Sequence, residues 1–158
     1  MMVVSDTSPL NYLVLIQAVD VLPVLFHEIY VPHRVAAELK NPAAPQTVQA
    51  WIASPPSWLS IRSPLHVSPN LKLDPGETEA ISLAQELKAD HLLIDEWAGR
   101  TAAQSQGLHV IGTLGVLVQA SERGLLELKQ TLDRLALTSF RIDKHLIARL
   151  LAQHSRRK

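Results

Sequence analysis

Met2-Val3-Val4-Ser5-Asp6-Thr7-Ser8-Pro9-Leu10 is the stretch from which the rest of the chain is read. Residues 2–5 form a short apolar run rich in valine, the composition of a strand. The run stops at Asp6, Thr7-Ser8-Pro9 follows as a turn, and residues 10–18 carry a helical periodicity. The prediction is strand, turn and helix, with an acid placed where the strand ends.

Moving outward, the same alternation recurs. Residues 29–31 form a second apolar run that ends at Pro32 and leads into Val35-Ala36-Ala37-Glu38-Leu39, closed by Asn41-Pro42. Residues 46–53 read as a short helix, and Pro55-Pro56 then breaks the chain before a strand over 58–62 toward a sheet edge. Residues 63–73 read as loop. Asp74-Pro75-Gly76-Glu77 opens the clearest helix, whose apolar stripe is Ala80, Ile81, Ala84 and Leu87. A strand over 91–94 ends at Asp95. A helix over 96–106 ends at Gly107, a strand covers 108–111, and a helix over 113–123 stops at Gly124. Helices over 127–137 and 143–153 close the chain. Strands that are nearly all apolar and separated by helices indicate a parallel sheet covered on both faces. The expected fold is a three-layer α/β/α sandwich.

Composition narrows the function classes. The chain has 158 residues, 47% hydrophobic and 19% charged, the balance of one globular domain and not of a disordered tail. With no repeat and no linker, residues 1–158 read as a single domain whose C-terminal helices occupy about 127–158. Cysteine is absent, which excludes disulfide frameworks, thiolate zinc sites and cysteine nucleophiles. Lys plus Arg and Asp plus Glu both number 15, so net charge gives no long-range pull on a polyanion. The N-terminus lacks the basic start of a secretory signal, and Asn11, Gln17 and Asp20 interrupt the longest apolar stretch. No membrane partner is expected, and the cytoplasm is the expected location. The histidines, from His27 to His154, lack metal-ligand spacing and read as surface or turn residues.

Ligands of open α/β sheets bind at the carboxyl ends of the strands, and Asp6 and Asp95 both fall at such ends. Two carboxylates about 4 Å apart repel by roughly 1 to 4 kcal/mol, so acids gathered at one edge call for a cation. Oxygen ligands suit Mg2+ or Mn2+, whose retained waters serve phosphodiester hydrolysis. Each acid also has a local reading. Asp6 or Ser8 would cap the first helix, Asp74 with Glu77 resembles a capping box, Glu38 would be a solvated position, and Asp95-Glu96 would begin the next helix. Glu79 lies on another helical face from Glu77, which shares its stripe with Ile81 and Ala84.

Taken together, these segments resemble the PIN-domain family, including ribonuclease toxins of the VapC type. The matching residues are Val3-Val4-Ser5-Asp6-Thr7-Ser8, Val31-Pro32 leading to Val35 and Glu38, Gly76-Glu77 with Glu79-Ala80-Ile81, and Leu93-Ile94-Asp95-Glu96. They span residues 2 to about 120. A prokaryotic branch of the family has openings similar to Asp6–Leu10, Leu73–Glu77 and Gly112–Gly115. The resemblance implies Asp6, Glu38, Glu77 and Asp95 as metal ligands and catalytic acids, with Glu96 as a further ligand, one or two Mg2+ or Mn2+ ions, and hydrolysis of single-stranded or structured RNA. It places Ser8 and Thr113 beside a ligand carboxylate. Arg34, Lys40, Lys72 and Arg100, with the terminal Arg156-Arg157-Lys158, are the candidate RNA contacts. A toxin role would bring a small antitoxin over the acidic edge, and the family often pairs as homodimers. One departure stands out: Trp97 occupies the place of a second Asp that many members carry two residues beyond the one matching Asp95.

Two other α/β chemistries fit less well. A haloacid-dehalogenase-type phosphatase needs an Asp where Ser8 stands, and a phosphoacceptor receiver needs paired acids and a Lys where Thr7 and Thr113 stand. The alternative to an enzyme is a catalytically inactive PIN-like module that binds RNA or protein.

Overall fold

The computed structural model describes residues 1–68 and 72–157, and the side chains up to residue 154. Its elements are β1 (Met2–Ser5), α1 (Thr7–Leu15), α2 (Val21–Phe26), β2 (Glu28–Val31), α3 (His33–Lys40), α4 (Gln46–Ala53), β3 (Leu59–Ile61), α5 (Pro75–Leu87), β4 (His91–Leu93), α6 (Trp97–Ser105), β5 (Val110–Ile111), α7 (Thr113–Glu122), α8 (Leu128–Ala136) and α9 (Lys144–Arg157). The strands form one sheet in the order β3-β2-β1-β4-β5, and every pairing is parallel.

The apolar strands are buried on both faces, as an all-parallel sheet requires. Successive residues point to opposite sides. Val3 and Leu93 enter one core with Leu10, Leu39, Val116 and Leu132, while Val4, Leu92 and Ile94 enter another with Ala80, Ile81, Ala84 and Ala103. One face of the sheet is therefore closed by α5 and α6, and the other by the remaining core helices, α1 to α4, α7 and α8. The α/β/α sandwich expected from the apolar strands is the architecture found.

Differences from the expectation lie at element ends. Thr7-Ser8-Pro9 is the first turn of α1 and not a preceding turn. Proline is tolerated there because the first helical N–H groups have no partner within the helix. The all-apolar helix α2 has no expected counterpart, since a run such as Val21-Leu22-Pro23-Val24-Leu25-Phe26 offers no alternation to read. Strand β3 is at the sheet edge as expected, and β5 shrinks to two residues. Residues 63–68, 72 and 73 are neither helix nor strand, and 69–71, part of the expected loop, lie outside the described residues. His91 is in β4, with its Nδ1 buried, and so is not a surface or turn residue.

Candidate active site

The order of the sheet reverses beside β1: the chain builds β2 and β3 on one side, then returns to place β4 on the other. Such a switch point opens a crevice beyond the strand ends. Asp6 follows the last residue of β1, and its backbone N–H donates to the Leu93 carbonyl of β4 at 2.8 Å. That bond ties together the two strand ends that present Asp6 and Asp95.

Asp6 occupies the N-cap position of α1, yet its side chain makes no capping hydrogen bond. It is 5% exposed. Burial pushes its carboxyl up to about 7; the Thr7 backbone N–H opposes this, and the charges of Asp74, Glu38 and Asp95 add to it. The carboxylate is thus committed to the crevice and not to the helix start.

On α5 the two roles that local sequence left open fall to different residues. Asp74 caps the helix, its Oδ1 accepting from the Glu77 backbone N–H at 2.8 Å. Glu77 turns inward, is 7% exposed, and has a buried Oε2 without a hydrogen-bond partner among the described residues. Burial, a hydrogen bond with Asp74 that needs a protonated carboxyl, and the charges of Asp74, Asp6 and Glu96 push it up to about 8. Glu79 points elsewhere, pairing with Arg34 at 3.1 Å.

Glu38, near the end of α3, accepts a hydrogen bond from the Thr7 hydroxyl. Asp95 is the most firmly held of the acids. Its Oδ1 accepts from the Thr113 backbone N–H at 2.7 Å, and its Oδ2 from the Thr113 and Ser8 hydroxyls at 2.7 and 2.9 Å. Ser8 and Thr113 therefore both touch the Asp95 carboxylate.

Asp6, Glu38, Asp74, Glu77 and Glu96 line one concavity of about 220 Å³ with Thr7, Ser8, Asn11 and Tyr12. Asp95 lies behind Ser8 and lines the neighbouring surface with Trp97 and Arg100. Asp74 is the acid that sequence reasoning missed: its capping role accounted for it fully. The donors are all oxygen, and the partnerless buried Oε2 of Glu77 is the kind of atom a hard cation would satisfy. Among the described residues, however, no group of three or more His, Asp or Glu stands ready to hold an ion. Binding would need these carboxylates to draw in from their positions.

The candidate RNA contacts scatter. Arg34 is engaged with Glu79, Lys40 is exposed at the end of α3, and Lys72 and Arg100 line two separate hollows. The side chains of Arg156, Arg157 and Lys158 lie outside the described residues. Among the described residues no helix is long and apolar enough to cross a membrane.

Residues 2–156 match the family described as DUF3368: PIN domain. Among solved structures, a PilT N-terminus domain protein from the hyperthermophilic archaeon Sulfolobus solfataricus P2 is similar at a TM-score of 0.50 and 14% identity, over 90% of this chain and 100% of that one. No curated protein matches the chain.

Proposed function

This chain belongs to the PIN-domain family, and from that premise we propose that it is a divalent-metal-dependent endoribonuclease. The observation that carries the reading is convergence: acids from four separate segments, Asp6 after β1, Glu38 on α3, Glu77 on α5 and Glu96 before α6, line one crevice at the switch point, with Asp95 against its rim.

Asp6, Glu38, Glu77 and Asp95, with Glu96 at the edge, would hold Mg2+ or Mn2+. Such ions, when bound, lower the pKa of an attacking water and neutralise charge on the scissile phosphate. The protein's part is to hold the ligands ready. Ser8 and Thr113 fix the Asp95 carboxylate, Thr7 fixes Glu38, and the burial of Asp6 and Glu77 makes their ionised forms depend on a neighbouring positive charge. A single domain working in the cytoplasm is part of the proposal. So is a toxin role, with a small antitoxin laid over the acidic edge and pairing of two copies, on the likeness to VapC alone. The second reading, an inactive module that binds RNA or protein, is separated from this one by whether the acids bind an ion.

The test is to incubate the protein with a mixed RNA pool in Mn2+, Mg2+ or chelator, beside an Asp6→Asn variant. Cutting that needs the ion and disappears in the variant supports the reading. Absence of cutting, together with calorimetry showing no divalent-ion binding that the variant weakens, would overturn it.

A further inference from the structure

Trp97 is the first residue of α6 and directly follows Glu96 of the acidic crevice, yet it is 79% exposed. An indole left in water at such a place is not there for core packing: the other two tryptophans, Trp51 and Trp58, are partly buried, packed on the core and 6.0 Å apart. Trp97 borders two hollows. One is shared with Lys72 and Leu73, immediately before the Asp74 that caps α5. The other is shared with Arg100, Asp95 and Phe140. Lys72 is exposed; Arg100 is partly buried, one of its guanidinium nitrogens donating to the Ile94 carbonyl at 3.3 Å, and neither makes an ion pair among the described residues. A bare aromatic face flanked by two cations is the arrangement that grips single strands, with a base on the ring and the adjoining phosphates on the basic groups.

We propose that Trp97 is a stacking platform for an unpaired RNA base next to the cleavage site, with Lys72 and Arg100 as its phosphate contacts. This rests on the nuclease reading and names the residue through which that site would hold its RNA. A base in a duplex is already stacked on its neighbours and cannot lie against the ring, which is how the platform selects unpaired RNA. A protein partner would also prize an exposed tryptophan, but the flanking cations and the adjoining acids fit a polyanion crossing toward a metal-charged crevice.

The experiment is fluorescence anisotropy in chelator, where binding proceeds without cutting, using a labelled single-stranded RNA of about ten nucleotides, its duplex, and a set carrying one abasic position each. Wild type is expected to prefer the single strand and to lose affinity when one particular base is removed. Trp97→Ala is expected to bind the single strand about tenfold or more weaker and to show no sensitivity to the abasic position, while Trp97→Phe restores most of both. A merely structural role would not move the abasic profile. If wild type cuts RNA in Mn2+ but Trp97→Ala binds and cuts like it, stacking is wrong and the nuclease reading survives. If wild type neither binds nor cuts, both fall together.

Discussion

Gly99, in the first turn of α6, lies so close to the Glu77 carboxylate that a Cβ at position 99 would stand 2.5 Å from Oε2 and 2.6 Å from the Ile94 Cδ1. The relationship is repeated around the site. A Cβ on Gly76 would collide with the carboxylate of Glu38, and one on Gly112 would come 3.0 Å from the Asp95 Oδ1 and 2.6 Å from an Arg100 nitrogen. Three of the proposed ligands therefore occupy space left open by a glycine on a neighbouring element.

Gly99→Ala should accordingly displace the Glu77 carboxylate, because Ile94 on the other side cannot retreat from its core. We expect RNA cleavage to fall about 10- to 100-fold with weaker Mn2+ binding by calorimetry, the size seen when groups that orient metal ligands are changed. Far-ultraviolet circular dichroism should be unaltered. Full activity in a folded Gly99→Ala protein would remove Glu77 from the site.

Stability should depend on pH in an unusual direction. Asp6 and Glu77 sit at about 7 and about 8 in the fold, against ordinary values of 3.8 and 4.5. The folded state thus holds protons that the unfolded chain has released, and stability contributed by these groups is lost as pH rises from about 4 to about 8. In chelator the thermal midpoint should fall by several degrees between about pH 5 and about pH 8. Saturating Mn2+ should remove the fall, because it binds the ionised carboxylates. A midpoint that climbs through this window in chelator would contradict the buried, repelling arrangement of the acids.

Asp95 gives a third expectation. Thr113→Val keeps the shape of a fully buried side chain but removes one of the hydroxyls that hold Oδ2, leaving Ser8. The loss should cost about 1 to 3 kcal/mol in chemical denaturation. Ser8→Ala alone should cost less, as Ser8 is only partly buried. Together they should lower cleavage by more than the product of the single effects, since either hydroxyl can anchor the carboxylate in the absence of the other. Additive effects would show that the hydroxyls do not share that task.

How much of this was legible beforehand follows from what local sequence encodes. Strand β1 and its terminal Asp6 were readable because a buried parallel strand is uniformly apolar and a carboxylate ends it sharply. Helix α2 was not, since six apolar residues carry no period. The site was legible as a set of acids but not as roles: capping and metal binding both use a carboxylate at a helix start, so Glu77 could be read as part of a capping box or as a ligand, while Asp74, read as a cap alone, also lines the crevice in the fold. The glycine contacts, and the exposure of Trp97, are tertiary facts with no local signature.

Glu77 and Glu79 make the sharpest internal comparison, two acids of one helix in opposite surroundings. Glu79 is joined to the exposed Arg34, a surface pair whose removal should change stability by no more than about 1 kcal/mol and leave cleavage nearly intact. Glu77→Gln replaces a buried group that resists ionisation by a neutral one of the same shape. In chelator near pH 8 it should therefore raise the thermal midpoint while abolishing ion-dependent cleavage, the opposition of stability and activity expected of a residue retained for its chemistry. Differential scanning fluorimetry and the RNA assay on the two variants decide the matter. Should Glu77→Gln destabilise the fold and Glu79→Gln silence the enzyme, the inward acid would be structural and the site would have to be sought on the outer face of α5.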